Sequence, residues 1–238
     1  LGRGTNAWLS TEMPSRVASA YRRYIANIAV LLHSAFSSAI DEGAKLQQSI
    51  GGIETLFKDS AGTVKQYASE AFRTAGVSAN EYMENVTSFS ASLISSLGGD
   101  TAKAAELANT AMTDMSDNAN KMGSDMKLIT QTYQSLARGN YAMLDNLKLG
   151  YGGTKAEMQR LIKNAASYKD VQEELNMTVD EGDMSFANMV KAISVVQKKL
   201  GITGTTAKEA SETFSGSFAS MQAAFKDFLG NLTTGGDI

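Results

Sequence analysis

The chain has no cysteine, one proline, one histidine and one tryptophan in 238 residues. Without cysteine there is no disulfide, no thiolate metal ligand and no thiol nucleophile, which suits a reducing compartment. With a single histidine, His33, a metal site built on paired imidazoles is excluded, and a Ser-His-Asp triad would have to draw on a residue inside an apolar helical stretch. Proline breaks helix interiors, so its near absence favours long or consecutive helices, and the 21 glycines are left to punctuate them. Aromatic residues make up only 8 %. Close packing through small side chains is expected, in thin helical layers or an elongated shape rather than one thick core. The net charge is −3 with no block of one sign, which argues against a dedicated nucleic-acid surface. Because the sequence begins at Leu1 rather than Met, it reads as a fragment or a processed product.

No stretch alternates with period two, so no strands are expected and the fold class is all-α: consecutive short-to-medium helices joined by glycine-containing loops, as a helical bundle or an elongated helical array. Residues 1–13 read as a disordered tail. Residues 14–50 read as a long N-terminal helix opened by Pro14, with apolar positions at Val17, Tyr21, Ile25, Ile28, Leu32 and Phe36. Its most apolar run, Tyr24–Phe36, spans about 13 residues, short of the roughly 20 that cross a bilayer. It reads as a buried helix rather than a signal-peptide core or a membrane span, with His33 as a structural histidine.

Residues 51–232 form the second region, and 233–238 a frayed tail. Gly51-Gly52 is read as a break, followed by a helix over Ile53–Ala75 interrupted near Gly62 and closed at Gly76. Ser78-x-x-Glu81, Thr154-x-x-Glu157 and Thr206-x-x-Glu209 are capping-box patterns, in which a hydroxyl and a carboxylate satisfy free amides at a helix start. Between them, helices start at Asp100 or Thr101, at Ser124–Asp125, at Asn140 and at Ser185, and stop at Gly98-Gly99, Gly123, Gly139, Gly150 and Gly201. The helix from Ser185 carries its stripe on Met189, Ile193, Val196 and Leu200. Lys169–Asp183 is polar and reads as a loop with one short helical turn.

Little in the chain points to chemistry. Asp114, Asp117 and Asp125 lack the spacing of a calcium loop and read as helix caps and solvent-facing residues. Gly150–Lys155 has Thr-Lys where a phosphate loop needs Gly-Lys-Ser/Thr, and no strand precedes it. Glu173-Glu174 has no cleft signature. No catalytic, cofactor-binding or metal-binding residue is assigned, no cofactor is expected, and the chain reads as something other than an enzyme. The cleanest amphipathic face is Phe214, Phe218, Met221, Phe225 and Phe228, at steps of four, three, four and three. It either packs on the rest of the domain or serves as a partner-contact or self-association face.

Several long runs resemble the conserved helical region of phage tail tape measure proteins. They are S-A-N-E-Y-M-E-N-V-T-S-F-S-A-S-L at Ser78–Leu93, L-G-G-D-T at Leu97–Thr101, M-S-D-N-A-N-K-M-G at Met115–Gly123 and N-Y-A-M-L-D-N-L-K-L-G-Y-G-G-T-K at Asn140–Lys155. Further likeness lies at Gly52–Phe57, Thr74–Asn80 and Lys199–Met221, while Asp170–Ser185 departs from the pattern. The resemblance implies a virion structural module acting in tail tube assembly, tail length determination and genome ejection. It implies self-association and contacts with tail tube protein, tail-tip or distal tail proteins and tail assembly chaperones. It places the chain in the tail tube lumen of the virion, and in the bacterial host cytoplasm during assembly. As a single helix, the chain would reach about 360 Å, but its glycines point to the compact part of such a protein rather than the measuring rod. The alternative is a membrane-active helical module that inserts into the host envelope during DNA injection, making transient contact with the host membrane, or the equivalent part of a phage-tail-like bacteriocin.

Overall fold

The computed structural model describes residues 44–213. The chain divides at Gln48–Ser49 into two units, Leu1–Gln48 and Ser49–Ile238. Of the first, only 44–48 are described, and they are helical. The stretch Tyr24–Phe36, His33 and the face at Phe214, Phe218, Met221, Phe225 and Phe228 lie outside the described residues.

Among the described residues there is helix and no strand. Helix α1 is described over 44–57. A 3-10 turn at Lys58–Ser60 leads into α2 (Ala61–Thr74), α3 (Ala79–Ser96), α4 (Thr101–Met122) and α5 (Met126–Ala137). A second 3-10 turn at Leu144–Leu147 is followed by α6 (Lys155–Ser167), α7 (Lys169–Glu174) and α8 (Phe186–Lys199). Helix α9 is described over 205–213.

Most helix starts are set by one local side chain. Ser78 Oγ accepts the Glu81 amide, Asp100 Oδ1 the Lys103 amide and Thr154 Oγ1 the Glu157 amide, while Asp125 Oδ1 takes both the Lys127 and Leu128 amides. Ser185 Oγ accepts the Asn188 amide. Each such cap is worth about 1 kcal/mol. The ends are equally local. Gly123 takes φ +60°, a conformation that a Cβ would disfavour, so that the Ser124 amide turns back onto the Ala119 carbonyl at 2.9 Å.

Three boundaries differ from the sequence expectation. The helix does not break at Gly51-Gly52; α1 runs through both. Gly52 lies against α3, where an added Cβ would sit 3.3 Å from Thr87 Cγ2, so this glycine permits close helix approach instead of ending a helix. The interruption expected near Gly62 falls at Lys58, whose φ is +50°, and Gly62 sits inside α2. The segment opened by Asn140 is a 3-10 turn rather than an α-helix: Asn140 Oδ1 accepts the Ala142 amide, and Lys148 at φ +54° closes the turn.

The second unit has one contiguous core, contrary to the expected thin layers. Alanines explain how. Ala68 and Ala71 of α2 and Ala104, Ala105, Ala108 and Ala111 of α4 are all buried, which lets these helices approach closely. Phe57, Phe89, Tyr82 and Tyr133 supply the large volumes. Phe89 meets Phe186 edge-to-face at 6.1 Å, tying α3 to α8. Such a pair adds roughly 0.5–1.5 kcal/mol beyond its buried area.

Helix α8 is enclosed rather than amphipathic, and α4 is enclosed over the turn Asp114–Asn118. Helix α4 packs against α2, α3, α5 and α8. Helix α8 packs against α3, α4, α5, α6 and α7, and all its residues from Phe186 to Gln197 are buried except Lys191. The stripe expected on Met189, Ile193, Val196 and Leu200 is therefore incomplete as a description. Burial extends around α8, and Leu200 at its end is 52 % exposed.

Candidate functional site

The centre of the unit is one turn of α4. Asp114, Met115, Ser116, Asp117 and Asn118 are all buried. Successive helical residues point about 100° apart, so a turn buried on every side projects its side chains in all directions. Three of its polar side chains each tie down a different part of the chain. The Ser116 hydroxyl donates to the Ala75 carbonyl at the end of α2. Asn118 Nδ2 donates to the Leu147 carbonyl at 2.9 Å, holding the 3-10 turn. Asp117 Oδ2 accepts the Gly204 amide at 2.6 Å and Oδ1 the Thr206 amide at 2.8 Å, where α9 begins. The Thr205 hydroxyl adds a bond to the Asp117 carbonyl at 3.3 Å.

Asp114 points the other way, among α5 and α8. It is 2 % exposed, and no protein group among the described residues reaches Oδ2. Burial pushes its carboxyl up to about 8; the Ser194 hydroxyl pulls it down, and the charge of Asp117 one turn along pushes it further up. Burial likewise drives the Tyr133 phenol well above its ordinary value, with Asp114 as the second cause, and that hydroxyl too has no protein partner among the described residues. Asn118 Oδ1 and both amide atoms of Gln197 on α8 are also buried without one. An unpartnered buried polar group costs about 1–3 kcal/mol, and five such atoms lie on these four residues.

The acidic residues singled out in the sequence thus divide. Asp125 is a helix cap. Asp117 caps a helix far along the chain, and Asp114 is a core residue, so the solvent-facing role is wrong for both. The third capping box does not form: Thr206 Oγ1 is buried without a partner, and Glu209 Oε2 instead accepts from Asn120 Nδ2 at 2.7 Å. The helix starts at 205 instead, and Asp117 accepts the Gly204 and Thr206 amides at that start. The role of Asp117 is invisible in the sequence because an Asp within a polar helical run looks the same whether it faces water or a distant helix start.

The Gly150–Lys155 loop is held from within. Glu157 Oε2 accepts the Gly152 amide at 3.0 Å, and Arg160 donates to Glu157 and to the Gly150 carbonyl. The Arg160 bond first, and the Gly152 amide second, bring the Glu157 carboxyl down to about 2. The amide a phosphate would need is thus already engaged by a carboxylate. Arg160 also lies 4.3 Å from the Tyr151 ring centre. Of the Glu173-Glu174 pair, Glu174 bridges to Lys198 at 2.7 Å.

Two amides missed in the sequence organise the polar stretch after α6. Gln172 donates to the Ala165 and Ala166 carbonyls and accepts the Val179 amide. Asn188 donates to the Asp180 and Asp183 carbonyls and accepts the Asp180 amide. Both fasten this stretch to α6 and α8. Among the described residues no three His, Cys, Asp or Glu side chains are grouped to hold a metal ion, and no helix is long and apolar enough to cross a membrane. What the arrangement does is mechanical: one turn of α4 fixes the end of α2, the 3-10 turn and the start of α9. No protein-family model, no curated protein and no solved structure matches the chain.

Proposed function

We propose that the chain is a structural and assembly module of a phage tail tape measure protein, acting by protein–protein contact and by holding its own shape. The observation that carries this reading is where the resembling runs fall. Met115–Gly123 contains three of the four polar residues of the central turn, Ser116, Asp117 and Asn118. Ser78–Leu93 supplies the buried face of α3, and Asn140–Lys155 supplies the 3-10 turn and the cap of α6. The resemblance therefore lies on joints and core contacts, as expected of a module whose work is to keep a shape.

In this role the unit is a compact body carried by a longer ruler. It meets tail tube protein, distal tail proteins, assembly chaperones or another copy of itself, and leaves the tube ahead of the genome. An in-frame deletion of codons 49–213 tests the reading. Cells carrying the deleted gene should produce capsids without normal tails, viewed by electron microscopy, and supply of the intact gene in trans should restore them. Tails of unchanged form, length and number would refute the role.

A further inference from the structure

Helix α9 is attached differently from the other helices whose starts are capped by a side chain. Helices α3, α4, α5, α6 and α8 are each capped by a residue of their own, whereas the start of α9 is capped by a buried side chain of α4. Both carboxylate oxygens of Asp117 are used, one on the Gly204 amide and one on the Thr206 amide. Apolar contact adds little. Within 205–213 only Thr206 is buried, and Thr205 and Ala210 are partly so. The Thr206 methyl lies beside Gly76, where an added Cβ would meet it at 3.2 Å. Asn120 to Glu209 is a further bond, on an exposed rim.

The last firm apolar anchor before α9 is Ile202, 1 % exposed. Between it and the helix lie Thr203 and Gly204, the latter at φ +87°, where an added Cβ would meet nothing within 4 Å. The described residues 205–213 are thus held by a charged acceptor at their start and one exposed bond, with a glycine joint beside them, and can leave together. The carboxylate they leave behind then gains access to water through the space the helix start occupied, which offsets the bonds lost.

We propose that α9 is a strap latched by Asp117, and that it opens about Thr203–Gly204 while α2 to α8 stay folded. Opening is local because the core contacts of the body do not depend on it. The latch stands on these contacts alone, whether or not the chain works in a phage tail.

Hydrogen exchange with peptide-level mass spectrometry on the full chain tests this. In Asp117→Asn, one amide nitrogen replaces an accepting oxygen and the charge is lost. Peptides within 205–213 should exchange at least tenfold faster than in the unsubstituted chain, with peptides of α2 to α8 changed less than twofold. Unchanged exchange in 205–213, or equal acceleration throughout the body, overturns the latch. If D117N does not fold, a Thr205→Val, Asn120→Ala double variant decides. It weakens the same attachment from outside the core, and should accelerate 205–213 by at least threefold with the body unchanged. No selective acceleration in that variant overturns the proposal.

Discussion

Replacing Asp114 with asparagine should remove a pH dependence of stability that runs opposite to that of an ordinary surface carboxylate. In the unfolded chain this carboxyl ionises near 3.8; in the fold, burial pushes it up to about 8. Between those values the folded state holds a proton that the unfolded state gives up. Stability contributed by the neutral carboxyl is therefore complete below about pH 4 and is lost as pH rises toward 8, levelling above it. The slope approaches about 1.4 kcal/mol per pH unit, and the interval of about four units corresponds to roughly 6 kcal/mol. Asparagine has nearly the same shape and does not titrate. Urea unfolding of both proteins from pH 5 to pH 9 isolates the effect, because other titrating groups cancel in the difference. Relative to D114N, the unsubstituted chain should lose about 4 kcal/mol between pH 5 and pH 8 and little more by pH 9. A difference constant to within about 0.5 kcal/mol, well below the slope expected from linkage, would show that Asp114 is not held neutral in the core.

Other substitutions probe the joints. Asn118→Ala leaves the Leu147 carbonyl without its donor and should destabilise by about 1–3 kcal/mol in the same assay. At Gly153 an added Cβ would collide with the Ala142 carbonyl oxygen, so Gly153→Ala should destabilise by about 1–3 kcal/mol. As its control, Gly62→Ala meets nothing within 4 Å inside α2 and should stabilise by about 0.5–1 kcal/mol. Glu157 should titrate near 2 by carboxyl NMR, and Arg160→Met should move that titration up toward ordinary glutamate, since the Arg160 bond is the first cause of its depression. No movement would exclude Arg160 as the cause.

The parts of the fold legible in the sequence are those set by neighbours along the chain. Ser78, Asp100, Asp125, Thr154 and Ser185 cap helices because each reaches an amide two or three residues ahead. The stops at Gly76, Gly98-Gly99, Gly123, Gly139 and Gly201 are as local, and all have positive φ. Sequence and structure part where a distant partner decides. Gly52 stays helical and lies where a Cβ would crowd Thr87, so close helix approach and not a helix end accounts for a glycine there. Thr206 has no capping role because the helix already starts at 205, where Asp117 accepts the Thr206 amide itself. Leu200 fits the apolar stripe of α8 yet is exposed, while Asn188, Ser194 and Gln197 are polar and are buried. The central turn is the least legible, since Ser116, Asp117 and Asn118 carry no apolar signal and become interior only when other helices close over them.

The reading as a tail module is tested most directly by composition. Tailed particles released from cells carrying the gene can be purified by density gradient and digested for quantitative mass spectrometry. Peptides from this chain should be present in intact particles and in isolated tails, and should be lost from tails that have ejected their genome. Their absence from purified particles would contradict the account.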